Sequence, residues 1–224
     1  MAIIIEGKTL ELVRIADDSE DNRETLSDDL RDADFTAEPL DGPFLTLQDL
    51  LRAVTEGADA AVCDHHLAPR NYAPCTGAEL LGRCYDLGFP SVLVTKREKS
   101  NIDQIRPFRS KIPALIPTED VNTDAIIKGW EVCIGEFNQK FIPARRSWSA
   151  VLRVDYVYTS GQQTEVDVIL PAWNSDEIVK LSLEMFPENI RKHVRPEERF
   201  FAKVNLGAEN QYDLYFENID YRGK

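Results

Sequence analysis

Acidic side chains follow two apolar runs of the sequence, at the point where each run ends. Asp17 and Asp18 follow residues 10–16, and Asp64 follows residues 58–63. Short apolar runs of this kind are typical of buried β-strands. Because the carboxyl ends of parallel strands share one edge of a sheet, we expect the three carboxylates to lie close together. Converging carboxylates repel one another, and Mg²⁺, which prefers oxygen ligands, would neutralise them. The sequence therefore predicts a magnesium site at this edge.

A third apolar run, residues 89–94, is followed by Thr95, which adds a hydroxyl group to the same edge. An acidic pair, a single aspartate and a threonine at successive strand ends resemble the receiver domain of two-component response regulators. The resemblance covers roughly residues 9–140. It is supported by Asn22 just after the acidic pair and by residues 77–81, which are similar to the start of a receiver's third helix.

The resemblance implies a role for each of these residues. Asp64 would be the phosphoacceptor, and Asp17 and Asp18 would hold Mg²⁺ together with Asp64 and the backbone carbonyl of His66. Thr95 would bind the phosphoryl oxygens. The implied partners are a sensor histidine kinase or another phosphodonor, and a downstream protein. No enzymatic activity is implied beyond the receiver's own phosphorylation and dephosphorylation.

The sequence departs from the receiver pattern in the fifth apolar run. Receivers usually carry a Lys-Pro pair there, whereas this chain has Ile116 before Pro117, and the run contains no aromatic switch residue. Lys96, Lys99 and Lys111 are possible charge partners that could replace the missing lysine in space. Two hypotheses follow: a receiver that is phosphorylated or relays phosphate, and a pseudo-receiver that serves as a fixed docking module.

The triplet from Asp64 to His66 also resembles the signature of DHH-type phosphoesterases, which hold two metal ions for hydrolysis. This alternative would use Asp17, Asp18, Asp64 and His65. The family also needs a histidine in an acidic motif near the N-terminus, and no histidine precedes His65. The receiver hypothesis therefore remains the leading one.

Strand and helix patterns alternate through residue 141, which predicts an α/β domain. The receiver resemblance specifies it as a doubly wound, five-stranded parallel sheet of flavodoxin-like topology. Residues 96–111 are expected to form a short or irregular fourth helix, because Pro107 interrupts them. The other helices are predicted near 19–33, 45–56, 77–87 and 122–139.

The pattern changes after residue 142. Five predicted strands lie near residues 151–158, 164–170, 177–185, 200–206 and 212–219. The first two strands predict a hairpin around residues 159–163. We therefore predict a receiver-like domain over 1–141 and a small antiparallel β-rich domain, a barrel or a sandwich, over 142–224.

The formal net charge is −13, and the acidic excess lies almost entirely in the first domain. This balance argues against nucleic-acid binding, which needs a cationic face, so no DNA partner is expected. Arg191, Lys192 and Arg195 form the one compact basic run and are a candidate interaction patch for an acidic partner.

The sequence also bears on location. It has no run of 18 apolar residues and no secretory signal pattern at its start, so no membrane association is expected. The four cysteines show no Cys-x-x-Cys spacing and are expected to be reduced, mostly buried thiols. These features predict a cytoplasmic protein.

Overall fold

A computed structural model describes residues 2–96, 99–161 and 163–222. The chain forms two compact units. The first comprises residues 1–101 and 111–141, and the second comprises residues 102–110 and 142–224. The division after residue 141 falls where the sequence pattern changes. Residues 102–110, which the sequence pattern assigns to the first domain, pack with the second unit instead.

The first unit begins with a short antiparallel hairpin that the sequence patterns do not reveal. It consists of β1 (Ile3–Ile5) and β2 (Lys8–Leu10). Its turn residues Glu6 and Gly7 have φ angles of 48° and 84°, the positive values that a tight two-residue hairpin turn requires.

A five-stranded parallel sheet with flanking helices follows in the described part of the first unit. Its strands have the spatial order second, first, third, fourth, fifth, which is the flavodoxin-like order. The predicted fold class is confirmed. The elements, in chain order, are β3 (Leu12–Ala16), α1 (Glu20–Asp32), β4 (Thr36–Pro39), α2 (Leu47–Thr55), β5 (Ala60–Asp64), α3 (Gly77–Asp86), β6 (Ser91–Thr95), α4 (Lys99–Ile105), β7 (Ala114–Pro117) and α5 (Thr123–Phe137). Short 3₁₀ turns cover Arg106–Lys111 and Thr118–Asp120.

Helix α5 fixes one face of this sheet. Its buried residues Ile126, Trp130 and Ile134 recur every four positions and so form one apolar stripe. The indole N–H of Trp130 donates a hydrogen bond to the carbonyl of Ala61 in β5 at 3.1 Å. This packing joins α5 to β5, the strand that ends at Asp64.

The second unit contains one antiparallel sheet in its described part. The strand order is β10-β9-β8-β11-β12, with β10 and β12 at the edges. Its elements are β8 (Trp148–Ser160), β9 (Gln163–Leu170), β10 (Asn174–Ser182), α6 (Glu188–Arg191), β11 (Arg199–Val204) and β12 (Phe216–Asp220), with 3₁₀ turns at Pro143–Arg145 and Leu183–Met185. The predicted antiparallel domain and its first hairpin, in which Ser160 pairs with Gln163, are confirmed. The strands form a single sheet where a barrel or sandwich was expected.

Residues 102–110 are tied into the second unit by buried arginines. Arg106 donates to the carbonyl of Gln211 at 3.1 Å, and Arg109 pairs with Asp213 at 3.1 Å. Arg106 and Arg109 are each only 5% exposed. Because buried guanidinium groups are costly unless they are hydrogen-bonded, these contacts fix the segment in its unit.

Arg145 completes this attachment. Its guanidinium donates to the carbonyls of Arg109 at 3.0 Å and Ser110 at 2.7 Å. The same group lies 4.7 Å from the ring centroid of Tyr215, a cation–π distance.

Among the described residues, no helix is both long enough and apolar enough to cross a bilayer. All four cysteines are buried.

Candidate functional site

A cavity of about 610 Å³ lies at the carboxyl edge of the parallel sheet. Asp17, Asp18 and Asp64 all line it, so the structure brings the three predicted carboxylates to one site. We call this the acidic cavity. Its floor is apolar, with side chains contributed by three neighbouring strands: Ile15, Val62 and Val94.

Asp17 follows the last residue of β3 and faces the start of α1. Its carboxylate accepts a hydrogen bond from the backbone N–H of Ser19 at 2.7 Å, and the amide of Asn22 lies 3.3 Å away. Burial raises the pKa of Asp17, and the neighbouring charge of Asp18 raises it further. The site therefore concentrates negative charge that its own donors offset only in part.

Asp64 is the last residue of β5. Its carboxylate accepts a hydrogen bond from the backbone N–H of His66 at 2.6 Å. Burial, and then repulsion from Asp17, raise the pKa of Asp64 to about 6. At neutral pH a carboxyl group with this pKa is mostly ionised.

The cations nearest the acidic cavity differ from those of the receiver pattern. Lys96 lines the cavity, and Arg70 lies 4.0 Å from the Asp18 carboxylate. Lys111 instead pairs with Asp86 at 2.8 Å, in the last turn of α3. The side chain of the third candidate, Lys99, lies outside the described residues.

Ile116 explains why the fifth strand supplies no charge. Its side chain is 7% exposed and belongs to the apolar core of the first unit. The polar group that lines the cavity after this strand is Thr118, from the following 3₁₀ turn.

Thr95 ends β6 and is almost completely buried. Its neighbours Val94 and Lys96 line the acidic cavity, whereas Thr95 is not among the described residues that line it. The amide of Asn101 donates to the Thr95 hydroxyl oxygen at 3.3 Å and to the carbonyl of Lys96 at 3.0 Å. The predicted phosphoryl-binding hydroxyl is therefore held by a side chain that the sequence patterns did not reveal.

The loop after Asp64 is held by hydrogen bonds to the segment that follows β4. The Tyr72 hydroxyl donates to the carbonyl of Leu40 at 2.9 Å, and the N–H of Phe44 donates to the Tyr72 carbonyl at 2.7 Å.

A Cβ atom added at Gly77 would lie 2.0 Å from the Asp64 carbonyl oxygen, so glycine lets α3 begin against β5. This close approach fixes the position of Asp64.

The donor set fits Mg²⁺ in its chemistry. Mg²⁺ takes oxygen ligands, keeps several waters and usually needs only one or two carboxylates. Asp17, Asp18 and Asp64 supply such oxygens, and the exposed His66, which also lines the cavity, carries the expected backbone carbonyl. Within residues 2–96, 99–161 and 163–222, no three His, Cys, Asp or Glu side chains are gathered tightly enough to hold a metal by themselves.

The candidate basic patch is largely engaged within the second unit. Arg191 donates to the carbonyl of Phe186 at 2.8 Å, and Arg195 pairs with Glu198 at 2.9 Å. Lys192 is exposed. The run therefore presents less free positive charge than its sequence suggests.

The strand order defines the fold class: the first unit is a doubly wound α/β domain of flavodoxin-like topology. Solved structures similar to it include a CheY-like receiver domain from Methanospirillum hungatei JF-1, with 19% identity over 58% of this chain and 98% of that chain and a TM-score of 0.43. A receiver domain from Clostridium thermocellum shares 11% identity over 58% of this chain and 98% of that chain, with a TM-score of 0.44.

The similarity to longer proteins is partial. NtrX from Brucella abortus is 16% identical over 58% of this chain, with a TM-score of 0.43, and the match spans 28% of NtrX. No family model matches the sequence, and no curated protein matches it.

Proposed function

We propose that this chain is a signalling protein whose first unit accepts a phosphoryl group on Asp64. The observation that carries the proposal is the position of Asp64: a half-buried carboxylate beside Asp17 and Asp18, in a cavity at the carboxyl edge of a receiver-type sheet. Ligands of open α/β sheets bind at this edge.

The proposed chemistry is a single phosphoryl transfer. An Asp64 carboxylate oxygen attacks the phosphorus of a phosphohistidine on a sensor kinase, or of a small acyl phosphate. A new O–P bond forms, the P–N or P–O bond to the donor breaks, and the imidazole or carboxylate leaves with the electron pair. Mg²⁺, when bound, supplies positive charge for the phosphoryl oxygens. Asp17 and Asp18 would hold the ion through its waters or directly, and the carbonyl of His66 is a further ligand.

Positive charge from the protein is needed as well, because Ile116 supplies none. Lys96 lines the cavity and is the side chain best situated to pair with the phosphoryl group. The hydroxyl of Thr95 would bind a phosphoryl oxygen after turning toward Asp64.

The proposed output is a protein partner. Phosphorylation adds negative charge and acceptor oxygens, which the surrounding loops must rearrange to satisfy. The second unit, a β-sheet with the edge strands β10 and β12, would carry that state to the partner. A cytoplasmic location, where kinases present phosphohistidine, belongs to the same proposal.

A titration with Mg²⁺ and then beryllofluoride, a phosphoryl mimic, tests the proposal by NMR. The backbone amides of Asp17, Asp64 and His66 are expected to shift, and an Asp17→Ala, Asp18→Ala double variant is expected to lose the Mg²⁺ response. Asp32→Ala, an exposed acid of α1, is the matched control and should respond as wild type does. Unchanged Mg²⁺ binding in the double variant would contradict the site assignment.

The phosphoesterase alternative receives no support from His65. Its ring is fully buried, packs at 4.9 Å against the ring of His66, and is not among the described residues that line the acidic cavity. A two-metal hydrolase would need this ring at the metal ions.

A further inference from the structure

Arg23 of α1 is a buried cation next to the acidic cavity. It is 7% exposed, and its guanidinium donates to the carbonyl of Asp17 at 2.7 Å and to the carboxylate of Asp41 at 3.2 Å. The same group lies 5.5 Å from the ring centroid of Tyr72. Because a buried charge is costly unless it is paired and hydrogen-bonded, these contacts hold the side chain in one place.

The three partners of Arg23 come from three different loops at the carboxyl edge of the parallel sheet. Asp17 follows β3, Asp41 follows β4, and Tyr72 lies in the loop after β5. A guanidinium group suits this role because its planar fork presents several donors in fixed directions, whereas a lysine ammonium is a point charge on a flexible stem. Arg23 therefore joins the loop that carries Asp17 to the loops of both neighbouring strands.

Asp17 needs such support because it lies among like charges. Asp17, Asp18 and Asp64 line the acidic cavity together, and neighbouring carboxylates repel one another. The Asp17 carboxylate accepts a hydrogen bond from the backbone N–H of Ser19 at 2.7 Å, so its direction depends on the backbone of this loop. We propose that Arg23 is a positioning residue, which holds the Asp17 backbone so that the carboxylate stays at the Mg²⁺ site. This inference rests on the proposed function, since it concerns the ion that would assist phosphoryl transfer.

A Mg²⁺ titration of the full chain, followed by NMR, tests this role with Arg23→Met, which removes the donors and the charge. Loss of a positive charge alone would strengthen the binding of a cation, whereas loss of positioning should weaken it. We expect about tenfold weaker Mg²⁺ binding, which is the lower end of the losses that follow removal of a group that orients a metal ligand. An unchanged or tighter Mg²⁺ affinity in a folded variant would overturn the inference.

Arg31→Met is the matched control in the same helix. Arg31 donates to the carbonyl of Ala37 at 2.9 Å and pairs with Asp28 at 3.2 Å, so its loss should leave Mg²⁺ binding as in wild type. Arg23→Lys keeps the charge without the fork and should bind Mg²⁺ about threefold more weakly, as expected for the loss of one hydrogen bond. If Arg23→Met does not fold, wild-type affinity in Arg23→Lys would overturn the inference instead.

A second measurement needs neither the metal ion nor a phosphoryl group. The Ser19 N–H is bonded to the Asp17 carboxylate, so its hydrogen exchange should be faster in both Arg23 variants, while the amides of α5 keep their rates. If wild type binds Mg²⁺ but not beryllofluoride, and the Arg23 variants lose Mg²⁺ affinity, the proposed function fails while the positioning role stands. Unchanged Ser19 exchange in both variants would overturn the role whatever beryllofluoride does.

Discussion

The ionisation of Asp64 controls both its chemistry and its contribution to stability. Its pKa of about 6 lies above the usual aspartate value, chiefly because the group is buried. The folded chain therefore holds the Asp64 proton more tightly than the unfolded chain. The stability that this proton contributes is fully present below about pH 4 and is lost as the pH rises through about 6.

The first prediction follows from the upward shift of the Asp64 pKa. Without Mg²⁺, Asp64→Asn should unfold with a free energy about 1–3 kcal/mol higher than wild type at pH 7.5, because it removes a buried charge. Near pH 4 the difference should disappear. Urea unfolding at a series of pH values measures it, with the exposed Asp28→Asn as control. A difference that does not change with pH would show that the Asp64 charge is not the cause.

The second prediction compares two lysines. Lys96→Ala should weaken beryllofluoride binding about fivefold, a loss of about 1 kcal/mol, which is the upper end for an ion pair of an exposed lysine. Lys111→Ala should leave the affinity unchanged, because Lys111 pairs with Asp86. Fluorescence or NMR titration measures the affinity of each variant for beryllofluoride. Equal effects of the two substitutions would argue against Lys96 as the charge partner.

At the scale of single residues, the sequence reveals the three carboxylates of the acidic cavity but not the side chains that surround them. Asp17, Asp18 and Asp64 are predictable because parallel strand ends meet at one edge. The contact of Asn101 with Thr95 and the pairing of Lys111 with Asp86 depend on how loops and helix ends fold back, which no strand period encodes.

The junction of β5 and α3 shows how elements hold the site. Gly77 is the first residue of α3 and lies directly against Asp64, the last residue of β5. Thr76 is the N-cap of the helix and forms a capping box with Glu79. The capping box has a recognisable sequence spacing, but the need for glycine at position 77 comes only from the approach of the backbone of β5.

The third prediction addresses this junction. Gly77→Ala would place a Cβ atom 2.0 Å from the Asp64 carbonyl oxygen and should lower the free energy of unfolding by about 3 kcal/mol. Gly135→Ala in α5, where the nearest atom is the Lys140 carbonyl oxygen at 3.1 Å, is the control and should change it by less than about 1 kcal/mol. Urea unfolding compares them. Similar small changes for both would contradict the close packing of α3 on β5.

Most of the other elements follow from the sequence, since helices α1, α2, α3 and α5 carry clear apolar periods or caps. The hairpin of β1 and β2 is missed because three-residue strands are too short to establish a period of two. The single sheet of the second unit is missed because alternation predicts strands but not whether they close into a barrel.

At the scale of the whole molecule, the main difference between sequence and structure is the unit to which residues 102–110 belong. The change of pattern near residue 142 marks the division after residue 141, but residues 102–110 belong to the second unit. That membership depends on partners more than 100 positions away, such as Gln211 and Asp213. Local sequence patterns contain no signal for contacts of this range.

The fourth prediction concerns a fragment of residues 1–141. It should keep the parallel sheet, but residues 102–110 should exchange their amide hydrogens faster than in the full chain, because Arg106 loses its contact with Gln211 and Arg109 loses its contact with Asp213. Hydrogen exchange followed by mass spectrometry measures this, with α5 as the internal control. Unchanged protection of residues 102–110 would show that the segment is held by the first unit.

Phosphorylation of Asp64 is the central claim, and intact mass measurement with peptide mapping tests it most directly. The full chain is incubated with acetyl phosphate and Mg²⁺, in parallel with Asp64→Asn and with Asp32→Asn as the matched acid control. The account predicts one added phosphoryl group, mapped to Asp64, in wild type and in Asp32→Asn, and none in Asp64→Asn. A folded wild-type chain that acquires no phosphoryl group, or acquires it equally in Asp64→Asn, would contradict the account.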